Sequence, residues 1–204
     1  MHQFFEAANE HTEGEEKLTF SAGMVLANHK VPIRDTVRLA TRLMNSAKQS
    51  YLEQSQANLL AWHILESFDH LGEEFERFRA VTRPPMFTER DSIITDQALT
   101  LLLEARRRLS PGGQSVFPAT RRHAIGAALH RGDLREMKRH FDRLFAVAGL
   151  KESDRSSLVG LPEKWHNATT LHTDQSMQTR DSHAVWMHLF ELWDYLPTAE
   201  VTHA

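Results

Sequence analysis

Ten consecutive residues, Leu18 to Ala27, constrain this chain more than any other stretch. They read LTFSAGMVLA and alternate strictly. Leu18, Phe20, Ala22, Met24 and Leu26 fall on one side, and Thr19, Ser21, Gly23, Val25 and Ala27 on the other. A period of two is that of a β-strand. One face is bulky and the other small, so something comes close to the small face, either a packed helix or a ligand. A glycine in the middle of a strand marks such an approach.

The next residues set the frame around that strand. Asn28-His29-Lys30-Val31-Pro32 leads into a helix predicted from about Ile33 to Lys48, with proline well placed at a helix start. Ile33, Val37, Ala40, Leu43, Met44 and Ala47 form its apolar stripe. Leu59 to Ser67 is predicted as a second strand, Asp69 to Gly72 as a turn, and Glu73 to Val81 as a returning strand or short helix.

Thr82-Arg83-Pro84-Pro85-Met86 is the natural joint, because the proline pair stops regular structure on both sides. It divides the chain into a first domain over residues 1–81, a linker over 82–90 and a helical domain over 91–204. In the last of these, Asp91 is expected to cap a helix carrying Ile94, Ala98, Leu101, Leu102, Ala105 and Leu109, stopped by Ser110-Pro111-Gly112-Gly113. A helix from about Pro118 to Arg131 follows. Asp133 then caps a stripe of Leu134, Met137, Phe141, Leu144, Phe145 and Ala148, with Gly149 as its stop. A less regular stretch reaches about Gln178. The last helix runs from about Ser182 to Leu196 with Val185, Leu189, Leu192, Trp193 and Leu196 inward. The expected fold class is α+β, a strand-helix-strand unit followed by a helical bundle.

Composition narrows the function. Of the 204 residues, 41% are apolar, enough for a sizeable core. There is no cysteine, which excludes disulfides, thiol catalysis and cysteine-ligated zinc. The acidic start MHQFFEAANEHTEGEE lacks the apolar core of a signal peptide, and no apolar run has the length of a membrane span. A cytoplasmic protein with no membrane partner is the expectation. Thirteen histidines invite metal hypotheses. The pairs His166/His172 and His183/His188 are spaced by six and five, which does not put two rings on one helical face, and no carboxylate cluster completes a site.

The strand, the proline-started helix and the helix end carry a resemblance. Ser21-Ala22-Gly23, His29 with Lys30 and Pro32-Ile33, and Ala47-Lys48 with the later Asn58 occur in an order that resembles the second palm domain of one family. That family is the catalytic large subunit of type III CRISPR effector complexes, which makes cyclic oligoadenylates in antiviral defence. The likeness covers about residues 17 to 67 and is architectural beyond that, where a helical domain follows the palm in the family too. A looser likeness holds to diguanylate cyclases, whose palm shares the Ala-Lys helix end. The resemblance implies a partial ferredoxin-like palm and nucleotide contacts at Ser21, Gly23, Lys30 and Lys48. It also implies ATP and Mg²⁺ as cofactors of the complete assembly, with neither held by this chain alone. The partners implied are the upstream half of the large subunit, other effector subunits, and guide and target RNA.

Departures from the pattern limit what the chain does alone. The family's Gly-Gly-Asp-Asp hairpin is absent, and no Asp-Asp pair occurs anywhere in the sequence. Gly112-Gly113 is followed by Gln114-Ser115, and the usual Gly-Arg after the Ala-Lys helix reads Gln56-Ala57. Nucleotidyl transfer needs divalent cations held by closely placed carboxylates. Asp35 and Asp69 are the nearest aspartates to the palm-like part, and neither has an acidic neighbour. The chain is therefore expected to match only the C-terminal part of such a subunit and to be inactive by itself. A half-palm leaves a sheet edge without its neighbour, so residues 1–81 are expected to need association with another chain. Lys48 has a plain alternative, as a solvated cation complementing a helix C-terminus. Ser21 has one too, as a small residue on a packed sheet face. The alternatives for the whole chain are a non-catalytic helical interaction module and a fragment of a diguanylate-cyclase-like signalling enzyme.

Charge is distributed unevenly. The chain has a formal charge of -3, yet Leu103 to Arg143 holds ten basic residues against four acidic ones. They are Arg106, Arg107, Arg108, Arg121, Arg122, Arg131, Arg135, Lys138, Arg139 and Arg143, opposed by Glu104, Asp133, Glu136 and Asp142. A stripe of this kind commonly meets a phosphate backbone, and few aromatics interleave, which favours backbone contact over base stacking. Eight of these, Arg106, Arg107, Arg121, Arg122, Arg135, Lys138, Arg139 and Arg143, are the candidate RNA contacts. The alternative is the ordinary exposed faces of amphipathic helices.

Overall fold

The computed structural model describes residues 19–54, 57–65, 93–147, 150–169 and 178–198. Strand β1 (Ser21–Ala27) is followed by helix α1 (Ile33–Gln54), β2 (Leu59–Leu65), β3 (Ile93–Thr95) and α2 (Asp96–Arg108). Helices α3 (Ala119–Arg131), α4 (Leu134–Val147), α5 (Glu152–Val159), α6 (Leu161–Thr169) and α7 (Gln178–Glu191) complete the described chain. The fold is mixed α+β, a β-α-β start and a three-stranded mixed sheet followed by several helices.

The sheet order is β1-β2-β3. β1 and β2 are parallel, with Ser21 opposite Leu59, Gly23 opposite Ala61 and Ala27 opposite Leu65. A parallel pair needs a crossover, and α1 is that crossover. β3 pairs antiparallel with β2, Thr95 opposite Leu59 and Ile93 opposite Ala61. Here the sequence reading is corrected. It placed Ile94 on a helix capped at Asp91, but the chain stays extended to Thr95. The Thr95 hydroxyl then accepts the N–H of Ala98 at 3.0 Å, so Thr95 is the helix cap. Ile93 and Ile94 are β-branched and suit the sheet.

The described residues fall into two compact units. The first holds β1, α1, β2, β3 and the opening turn of α2. Its core is Leu39, Leu43 and Ala47 of α1 packed on Leu59, Ala61 and Leu65 of β2, with Val25, Val31 and Ile93 at the margin. Each fully buried leucine contributes about 1.5–3 kcal/mol relative to exposure. The predicted stripe of α1 is partly corrected. Leu43 and Ala47 are inside, and Leu39 joins them, but Ile33 is 78% exposed, Val37 59% and Met44 36%. The apolar arc of α1 is wider than its seat on the sheet, so one half is buried and the other stays open.

The second unit runs from Thr100 of α2 through α7. Phe117 is fully buried and stacks on Phe190 with ring centroids 5.2 Å apart. Phe141 meets Trp186 at 4.4 Å. Asp133 caps α4, its Oδ1 accepting the Glu136 N–H at 2.9 Å. Gly132 ends α3 at φ +72°, a left-handed conformation suited to glycine. The stretch before Gln178, irregular in the sequence reading, contains α5 and α6, two helices too short to display a full stripe. Val185, Leu189, Leu192, Trp193 and Leu196 are all buried. The expected elements over Glu73–Val81 and the 82–90 linker lie outside the described residues.

Candidate functional site

Gly23 answers what comes close to the small face of β1: the backbone of α1. A Cβ built on Gly23 would lie 2.0 Å from the Ala40 carbonyl oxygen and 2.6 Å from the Met44 nitrogen. Such distances admit no side chain, so the glycine is required by packing. Gly23 was also a candidate nucleotide contact, and on its helix-facing side the room is taken by α1.

This crossing fixes where the other candidates lie. α1 carries the chain from Ala27, at one end of β1, back to Leu59, which pairs with Ser21 at the other. Met44 passes over Gly23, and Lys48 stands one turn further toward the Ser21 end. Ser21 is half-buried on the helix-facing side of β1, and Lys48 is exposed. They sit at the same end of the β-α-β unit. Lys30 does not. It is exposed in the turn after Ala27, where its N–H donates to the Asn28 Oδ1 at 3.1 Å. Six strand residues separate that end from Ser21, about 20 Å at about 3.3 Å per residue.

Lys48 is not the tip of its helix, as the sequence reading had it. α1 continues to Gln54, and its last turn holds no basic residue. The macrodipole alternative for Lys48 thereby loses its basis, because that effect is confined to the final turn. At about 100° per residue, Lys48 lies next to Met44 and Val37 on the open half of α1. That half stands on the β1 side, because Ala40 and Met44 are the residues that touch Gly23. Among the described residues, β1 pairs only with β2.

The same end of the sheet holds two residues the sequence reading did not assign. Asn58 is fully buried. Its Oδ1 accepts the Phe20 N–H at 2.9 Å, and its Nδ2 donates to Asp96 Oδ2 at 3.1 Å. The backbone repeats the link, with the Leu59 N–H to the Phe20 carbonyl at 2.8 Å and the Asp96 N–H to the Asn58 carbonyl at 3.2 Å. Asn58 thus ties the start of β1 to the start of α2. The signal for it is the Thr95-Asp96 pair, a helix-cap sequence read as helix interior.

These carboxylates do not fit a divalent cation. Asp35 lies in the first turn of α1 and pairs with Arg38 at 3.2 Å, and Asp96 accepts from Asn58 and from the Gln97 N–H at 2.8 Å. Among the described residues no group of three His, Asp or Glu side chains is disposed to hold a metal ion.

The basic residues of the second unit separate into two populations. Arg106 is buried; its Nε donates to the Trp193 carbonyl at 3.0 Å, another nitrogen donates to Ser110 Oγ, and its guanidinium lies 3.9 Å from the Trp193 ring centroid. Arg122 lies 4.6 Å from the same ring and donates to the Phe117 carbonyl at 2.9 Å. Burial lowers the pKa of both guanidinium groups, with Arg122 adding to the effect on Arg106. Both were candidate RNA contacts, and both are instead part of the aromatic core. Arg107 is half-buried, Arg108 pairs with Asp154 at 2.9 Å, Arg121 lies 3.3 Å from His140 Nδ1, and Arg131 pairs with Glu136. Arg135, Lys138, Arg139 and Arg143 are all exposed on α4.

No protein-family model matches this chain, and no curated protein or solved structure is significantly similar to it. Among the described residues, no helix is long and apolar enough to cross a membrane.

Proposed function

We propose that the β1-α1-β2 unit is half of a nucleotide-binding palm in the large subunit of a type III CRISPR effector complex. On this reading it contributes to an ATP pocket for cyclic oligoadenylate synthesis in antiviral defence, and the helical unit docks on RNA and neighbouring subunits. The observation that carries the reading is the shared position of Ser21 and Lys48, a hydroxyl and an ammonium at one end of a tightly packed strand-helix pair. An ammonium on a flexible stem is a good point charge for a triphosphate. Lys30, at the opposite end, leaves the proposed phosphate group.

Among the described residues the carboxylates do not fit Mg²⁺, and on this reading the cation-holding residues belong to another polypeptide. The open half of α1 beside β1 supports the need for one. Ile33, Val37 and Met44 gain by being covered, and a strand added along β1 would do it. The test is to mix the chain with a palm fragment bearing Gly-Gly-Asp-Asp from the same genome, radiolabelled ATP and Mg²⁺. Oligoadenylate formation that requires both proteins is the expected result, and product from this chain alone would contradict it.

A second reading, a non-catalytic docking module, is favoured by the same open stripe, which a partner covers whether or not ATP is bound. Partner binding that is normal in a Lys48→Ala variant, with no nucleotide retained by either form, would select it.

A further inference from the structure

Ile33, Val37, Ala40 and Met44 recur on α1 at spacings of four, three and four. That is the spacing of a helix-to-helix seam, and the four share an arc of about 60° and about 16 Å of axis. Ile33, Val37 and Met44 are exposed and Ala40 is half-buried. The seam is turned about 90° from Leu39, Leu43 and Ala47, the residues that seat α1 on the sheet. It faces sideways past β1, since Ala40 and Met44 are the residues whose backbone meets Gly23. A strand added along β1 would reach it only from below. Its outward side stands in the helix layer, where the neighbour that fits is another helix, its axis about 8–10 Å away.

Charge selects the kind of helix. One flank of the seam carries Arg34 and Lys48, both exposed, and no carboxylate among the described residues. The other flank is closed by Leu43 and the sheet beneath it. A second copy docked about a two-fold axis would set the basic flank against itself, and like charges there repel. We infer that α1 is a docking seam for an acidic amphipathic helix of a different protein. That helix carries apolar residues at the seam spacing and aspartate or glutamate beside them, so that its flank pairs with Arg34 and Lys48. The inference goes beyond the nucleotide reading and holds with or without ATP.

The test uses the full chain and two labelled three-heptad synthetic peptides, with Leu and Ile at the seam positions and either Glu or Lys on both flanks. In fluorescence anisotropy the Glu peptide should bind in the micromolar range and gain helix by circular dichroism as it does. The Lys peptide should not bind. Val37→Asp puts a carboxylate in the seam and should weaken the Glu peptide by about tenfold or more. Arg34→Glu should weaken it by about fivefold and let the Lys peptide bind. Val159→Gln, at an exposed apolar residue of the other unit, should change nothing. Thermal melting verifies that each variant is folded. Absent binding of the Glu peptide, equal binding of both peptides, binding without gain of helix, or unchanged affinity in Val37→Asp would overturn the inference. So would a wild-type dimer in sedimentation that Val37→Asp dissolves, since a second copy would then be the occupant. Lys48 is left intact and neither ATP nor a palm fragment is present. Loss of oligoadenylate synthesis with intact peptide binding would therefore count against the proposed function alone, and the reverse against the seam alone.

Discussion

Gly23 and Ala40 stand so close that a methyl group on the glycine would meet the alanine's carbonyl oxygen at 2.0 Å. That contact holds α1 directly on β1 and so determines which side chains stand at the Ser21 end of the unit. Gly23→Ala is expected to force helix and strand apart at a cost of about 3 kcal/mol, the upper part of the range for overpacking. Gly126 is the comparison. It lies inside α3 with nothing within 4 Å of a built Cβ, and Gly126→Ala should stabilise by about 0.5–1 kcal/mol. Urea unfolding of the two variants should shift in opposite directions.

Asn58 offers a test of the corner it ties. Removing the amide leaves the Phe20 N–H and an Asp96 oxygen without that partner, so Asn58→Ala should cost about 2–3 kcal/mol. Asn58→Asp puts a carboxylate beside Asp96. Its folded pKa would be raised, so the penalty should be small below about pH 4 and grow above it. Equal destabilisation of the aspartate variant at pH 3.5 and pH 7 would show that the two side chains do not interact.

Arg106 is predicted to act in stability and not in nucleic-acid binding. Arg106→Lys cannot reproduce a planar group that lies over the Trp193 ring while donating to the Trp193 carbonyl. A loss of about 2 kcal/mol is expected, with the salt dependence of RNA binding unaltered. Thermal melting and an anisotropy titration with labelled RNA separate the two effects.

Two histidines should titrate on opposite sides of 6.5. The Glu191 carboxylate, 3.7 Å from the ring Nε2, raises the pKa of His130. Its contribution to stability is complete below the unfolded pKa and is lost as pH rises through the folded one. His183 has a buried Nδ1 with no hydrogen-bond partner, and burial lowers its pKa. Its contribution is present above the unfolded pKa and is lost as pH falls toward the folded one. NMR titration of the imidazole protons should give a midpoint above 6.5 for His130 and below it for His183. Glu191→Gln should remove the first shift and leave the second.

Much of the fold was legible in the residues, because periodicity reports which face is buried. The strict alternation of Leu18 to Ala27 marks β1, and Asp133 with Leu134, Met137, Phe141 and Leu144 marks α4. Where two elements compete for one apolar run, the pattern fails. Ile93-Ile94-Thr95 continues smoothly into Ala98 and Leu102, and only pairing with Leu59 and Ala61 makes it a strand. Helical spacing also cannot say how far a sheet reaches under a helix, which is why Ile33 and Val37 were read as core. Charge counting has the same weakness. It cannot tell Arg106, folded over Trp193, from Arg139, open to solvent. Of the candidate nucleotide contacts, Ser21 and Lys48 share one end of the unit, whereas Lys30 stands at the other and Gly23 serves the packing of α1.

The central claim is that Lys48 serves a triphosphate whose cations another polypeptide holds. The most direct measurement is the rate of oligoadenylate synthesis by the reconstituted pair, wild type against Lys48→Ala and Lys48→Arg. Removing a phosphate-binding charge should slow the alanine variant by about 10²-fold, with partial recovery by arginine. A rate unchanged by Lys48→Ala would contradict the account.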